Sequence, residues 1–201
     1  MPRSDDLLFF GKVSAQVSHE LKNILTIINE QAGLLADRTG RGLPLDPERL
    51  AMAVACLQRQ VQRGDRLLAG FNRFAHAADL PRREVSLAEA AALAATLGAR
   101  RAALARVALS AAAGDDARVV SDPFLLCRLL MACLERALDA PDDGRAVTVG
   151  AATGPGGPAL VLTGLSPGAA PGQDEAALAE TLGTRLILAD GRLAIVWPGP
   201  A

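Results

Sequence analysis

Residues 13 to 23 read Val-Ser-Ala-Gln-Val-Ser-His-Glu-Leu-Lys-Asn, and His19 within them is one of only two histidines in the chain. An imidazole titrates near pH 6.5, so at cell pH an exposed neutral ring is a competent nucleophile. On a helix its same-face neighbours, three and four residues away, are Ala15, Gln16, Lys22 and Asn23. None is large and apolar. Ala15 lets a partner come close, Lys22 offers positive charge to a phosphate, and Asn23 can position a water or a phosphoryl oxygen. Glu20 flanks the face, where its carboxylate can orient the ring or accept its proton. A solvated surface histidine is the plainer reading of the same residues. A zinc site is not supported, because His-Glu-x-x-Asn lacks the second histidine that a metalloprotease helix needs four positions on. His76 has no acid beside it and is expected to be structural or solvent-facing. Cys56, Cys127 and Cys133 form no ligand cluster and are expected to be reduced packing thiols.

The segment that carries His19 is helical and amphipathic from Asp5 to about Asp37. Phe10, Val17, Leu21, Ile24, Ile28, Gln31 and Leu35 form a heptad-like seam, with Ser14 filling its first gap. This seam puts His19 at the outward f position. Glycines and prolines from Thr39 onward end the helix, and Asp46-Pro47-Glu48 is a good start for the next. There Leu50, Val54, Leu57, Val61, Gly64, Leu68, Phe71 and Ala75 alternate four and three without a break. Two such helices joined by a short loop make a hairpin, and one hairpin cannot enclose a core. A second copy would supply the cover, giving a homodimeric four-helix bundle.

Beyond Arg83 the texture changes to mixed helix and strand. Short strands are expected at Glu84 to Leu87, Arg106 to Ser110 and Val119-Val120. Helices are expected from Ser86 to Leu104 and, capped by Ser121-Asp122-Pro123, to about Ala140. Ala146 to Ala151 and Ala159 to Thr163 read as a hairpin with a loose turn, followed by a helix from Asp174 to Leu188 and a strand from Arg192 to Trp197. This pattern indicates an α/β sandwich.

Composition sets the limits. Half the residues are apolar, yet only six are aromatic and none is tyrosine. Many of the apolar residues are alanine, which favours helix and buries little area. The net charge of −1 gives no support for a nucleic-acid surface or a basic membrane face. No apolar run is long enough to span a bilayer. The four large apolar residues after Asp6 are too few for a signal-peptide core. A cytoplasmic protein with no membrane and no nucleic-acid partner is the expectation.

Phe10 to Leu35, with Val-Ser-His-Glu-Leu-Lys-Asn followed by Ile-Leu-Thr-Ile-Ile, resembles the phosphoacceptor box of two-component sensor histidine kinases. The resemblance implies an α+β fold: an N-terminal antiparallel helical hairpin forming a dimeric four-helix bundle (residues 1–80), then a degenerate ATPase-like α/β sandwich (residues 81–201). It implies His19 as phosphoacceptor, Glu20 as the acidic residue assisting transfer, and Asn23 as the residue assisting dephosphorylation of the partner. Ile24 stands where many members have proline, which leaves the helix less kinked. Partner choice is expected to rest on Lys12, Gln16 and Lys22, and on Arg59, Arg63 and Arg66 of the second helix.

In the second half the resemblance decays. The helix Leu129 to Ala140 resembles the one carrying the family's metal-binding asparagine, but this chain has Ala132 and Arg136. A guanidinium has no lone pair to give magnesium. In the resemblance Gly164 takes the place of the adenine-contacting aspartate, and Gly172 runs straight into the last helix with no glycine-rich lid or later glycine box. Gly154-Pro-Gly-Gly-Pro lacks the Lys-Ser/Thr ending of a phosphate loop, and its prolines remove N–H donors.

The expected function is a phosphorelay histidine phosphotransferase that relays a phosphoryl group between receiver-domain aspartates through His19. It would use no ATP and no cofactor of its own, with magnesium supplied by the partner receiver domain. The alternatives are a non-catalytic dimeric regulator that binds a receiver domain or kinase, and a divergent active histidine kinase.

Overall fold

The computed structural model describes residues 4–44, 46–77, 82–115 and 117–199. The chain divides into two compact units, Met1–Asn72 and Arg73–Ala201. The expected boundary at residues 80–81 lies outside the described residues.

The first unit is the hairpin. Helix α1 spans Ser4–Gly40 and α2 spans Pro47–Ala77, whose last turn belongs to the second unit. Asp46 caps α2 by accepting from the Glu48 backbone N–H at 3.3 Å, and Pro47 takes the first position, where a missing N–H costs nothing. Val13, Val17 and Ile24 of α1 are buried, as are Ala53 and Leu67 of α2. Gly64 of α2 is buried opposite Ile24, where a Cβ would lie in ordinary van der Waals contact, 3.8 Å from Ile24 Cγ2.

On α2 the seam divides into a buried line and an outer edge. Leu50, Val54, Val61 and Leu68 are 38, 41, 52 and 43 % exposed, so they form a second apolar stripe beside the buried line. Four-three spacing finds an apolar wedge but cannot separate its inner edge from its outer one, because adjacent edges share the same period.

The second unit is a two-layer α/β structure. Strand β1 (Arg83–Ser86) pairs antiparallel with β3 (Arg118–Ser121) in a sheet of their own. The other sheet has the order β2 (Ala108–Ala111), β4 (Ala146–Gly154), β5 (Gly157–Thr163), β7 (Arg192–Val196), β6 (Arg185–Ala189), with β2 parallel to β4 and the rest antiparallel. Its inner face contributes Val147, Val149, Leu160, Leu162, Leu193 and Ile195, all fully buried. Above it lie α3 (Leu87–Ala105) and α4 (Pro123–Asp139), whose Leu87, Leu126, Leu129, Leu130 and Leu134 are also inaccessible. Ser86 caps α3 and Asp122 caps α4 through backbone N–H groups. Gly98 of α3 leaves room for Leu134 of α4, since a Cβ there would lie 2.6 Å from Leu134 Cδ2.

Three expectations change. The β4–β5 turn is tight, with only Pro155 and Gly156 between the strands. Strand β2 starts two residues later than expected, because Arg106 ends α3 in the left-handed conformation at φ 56°. The last helix, α5 (Gln173–Leu182), is shorter than expected, and residues 185–189 form β6 instead. Gly183 closes α5 with φ 71°, a conformation that glycine adopts without steric cost. Asp190 and Gly191, at φ 49° and 69°, then turn β6 into β7 as a two-residue hairpin.

Candidate functional site

Nothing interrupts α1 around His19. Two nearby hydroxyls are turned back on the helix, Ser14 onto the Phe10 carbonyl at 2.8 Å and Thr26 onto that of Lys22 at 2.9 Å. The line Val13, Val17, Ile24 seats α1 against α2, and the Phe10 and Phe71 rings meet at 6.5 Å between centroids. With that side fixed, His19 faces outward and is exposed, as are Lys12, Ala15, Lys22 and Asn23, while Gln16 is half-buried. His19, Lys22 and Asn23 therefore share one accessible face.

Glu20 departs from the expectation. It is buried, 9 % exposed, and accepts a charged hydrogen bond from Nη2 of Arg63 on α2. Successive helical residues diverge by about 100°, so the bond to Arg63 directs Glu20 between the helices and not across the His19 face. Arg63, expected to contact a partner, is in this structure the ion-pair mate of Glu20; it is exposed, as are Arg59 and Arg66. One signal for this pairing was present in the sequence. Val13, Val17, Glu20 and Ile24 alternate four, three, four, and a carboxylate on a packed line needs a cation opposite. His76 is exposed.

In the second unit Arg136 on α4 gives Nε and Nη2 to the two carboxylate oxygens of Glu175, at 2.6 and 3.0 Å. Glu175 lies in the first turn of α5 (Gln173–Leu182), is 5 % exposed, and also accepts the Gly172 N–H at 2.8 Å. Burial pushes the Glu175 carboxyl up. The bonds from Arg136 and from backbone N–H groups more than offset this and hold it below the ordinary carboxylate range. The same bond to Glu175 raises Arg136. Gly172 leaves no free space beside the pair, as a Cβ would sit 2.5 Å from Arg136 Nη2.

Gly164 has φ 82°, and a Cβ on it would lie 1.9 Å from the Ala146 carbonyl oxygen, so this backbone accepts glycine and excludes aspartate. Arg136 and Gly164 thus offer neither a metal-ligating lone pair nor an acidic side chain at these two places. Among the described residues, no three His, Cys, Asp or Glu side chains converge in a metal-holding group. Cys127 and Cys133 are buried, and burial raises both thiols to about 12, which leaves them protonated and inert.

No protein-family model matches the chain and no curated protein matches its sequence. Among solved structures, the chain is similar to a bacterial phosphotransferase at 15 % identity and a TM-score of 0.48, covering 97 % of each chain. It is similar to the ATP-binding domain of PrrB from Mycobacterium tuberculosis at 17 % identity and a TM-score of 0.47, over 61 % of this chain and all of that one. It is also similar to the Acinetobacter baumannii histidine kinase AdeS at 13 % identity and a TM-score of 0.45, over 88 % of this chain and 94 % of that one. All three TM-scores lie below 0.5, so the functional conclusion rests on residues of this chain. Among the described residues, no helix is long and apolar enough to cross a membrane.

Proposed function

We propose that this chain is a histidine phosphotransferase of a two-component phosphorelay. The observation that carries the reading is the shared exposure of His19, Lys22 and Asn23 on a helix face turned away from the hairpin's packing side. A lone pair of the His19 ring attacks the phosphorus of an aspartyl phosphate on a receiver domain. The P–N bond forms as the P–O bond breaks, and the departing aspartate carboxylate keeps the electron pair. The second ring nitrogen then sheds its proton to a carboxylate or to water, and the reverse sequence passes the group to another aspartate. Lys22 balances phosphoryl charge and Asn23 donates a hydrogen bond to a phosphoryl oxygen.

The receiver brings the magnesium ion. This chain needs no nucleotide, because Arg136 is committed to Glu175 and Gly164 leaves no room for an acidic side chain. The exposed stripe Leu50, Val54, Val61 and Leu68 supports a homodimer in which a second copy covers it. The test is incubation with labelled ATP and magnesium. The reading predicts no label on this chain alone, and label on His19 once an active kinase and its receiver are added. Rapid labelling from ATP alone would make it a kinase, and no label with any kinase–receiver pair would leave a non-catalytic regulator.

A further inference from the structure

Glu20 is the acidic neighbour of the nucleophile, yet its side chain is only 11 % exposed and bound to Arg63, whose own side chain is 47 % exposed. Adjacent residues on a helix do not face each other. A Glu20 rotamer that reaches Arg63 across the hairpin is therefore a different rotamer from one that reaches the His19 ring. During transfer the imidazole becomes cationic as the P–N bond forms, and a carboxylate at its second nitrogen stabilises that charge and takes the proton.

We propose that Arg63 is a positioning residue that restrains Glu20: it holds the carboxylate off His19, and transfer requires Glu20 to leave Arg63 for the imidazole. This rests on the proposed phosphotransfer at His19. Arg63 acts through Glu20 alone and touches neither the phosphoryl group nor the reacting atoms. Its half-exposed guanidinium is solvated when Glu20 departs, which keeps the release accessible on the timescale of side-chain motion.

The experiment uses the full chain and whichever phosphorylated receiver domain, among a panel, donates fastest to the wild type. Transfer rate is measured against receiver concentration for the wild type, Arg63→Gln, Arg63→Lys, Glu20→Gln, the double variant Glu20→Gln/Arg63→Gln, and the charge swap Glu20→Arg/Arg63→Glu, with circular dichroism as the check on folding. The expected result is that Arg63→Gln raises the maximal rate at least threefold with the half-saturating receiver concentration unchanged. Arg63→Lys, which keeps the cation, stays within twofold of wild type, and in the Glu20→Gln background the loss of Arg63 has no effect.

The charge swap keeps the interhelical pair without a carboxylate beside His19. It is expected to fold and to transfer as slowly as Glu20→Gln, which keeps the test decisive if Arg63→Gln fails to fold. A slower Arg63→Gln, a change confined to half-saturation, an equal effect with Glu20 removed, or a charge swap at the wild-type rate overturns the proposal while His19 remains the phosphoacceptor. A wild type that accepts no phosphate from any receiver overturns both.

Discussion

At the scale of single residues, reactivity here is a matter of which direction each side chain takes from α1. His19, Lys22 and Asn23 followed from spacing alone, because the heptad arithmetic that buries Val17 and Ile24 leaves them outside. The same arithmetic puts Glu20 on the packed line with Val17 and Ile24, but it does not name Arg63, forty-three residues away in sequence, as the cation that binds it, because such a pairing is a tertiary fact. On the proposed phosphotransfer, Asn23→Ala removes one hydrogen bond to a charged phosphoryl group. We expect transfer through His19 to slow by roughly tenfold, equivalent to about 1.4 kcal/mol, with far-ultraviolet circular dichroism unchanged because Asn23 is exposed. An unchanged rate would remove Asn23 from the site.

At the scale of elements, the Arg136–Glu175 pair fastens α5 to α4 and Glu175 also caps the start of α5. Because the folded Glu175 carboxyl lies below its unfolded value, its contribution is fully present above the unfolded pKa of about 4.3 and is lost as pH falls through the lower folded value. Glu175→Gln is therefore expected to be less stable than wild type near neutral pH by about 1–2 kcal/mol. The gap in denaturation midpoint should close as the pH falls through that window; a gap that persists at acid pH would contradict the account. Gly164→Asp places a side chain against the Ala146 carbonyl in a left-handed conformation and is expected to cost about 2–4 kcal/mol, measured by urea denaturation. Most elements could be read from caps and periodicity, including the Asp122-Pro123 start of α4. Strand β6 escapes that reading because a single glycine inside a helical pattern is often tolerated; here Gly183 is the stop signal and separates α5 from β6.

At the scale of the molecule, the hairpin has more apolar surface than its own two helices cover. Val61→Glu, in the middle of the exposed stripe, is expected to turn a dimer into a monomer in sedimentation equilibrium while the hairpin keeps its helicity; a wild-type monomer would contradict the four-helix bundle. The sequence indicated a hairpin followed by an α/β unit, and both are present. What it did not reveal was how the apolar wedge of α2 divides between the partner helix and the outside, since both edges repeat with the same period. The central claim is that His19 receives its phosphate from a protein aspartate. A panel of receiver domains carrying radiolabelled aspartyl phosphate tests it most directly, with wild type and His19→Ala run side by side. The account predicts that at least one receiver loses its label to the wild type within minutes, and that His19→Ala takes none. Equal labelling of the two proteins, or label retained on every receiver, would contradict it.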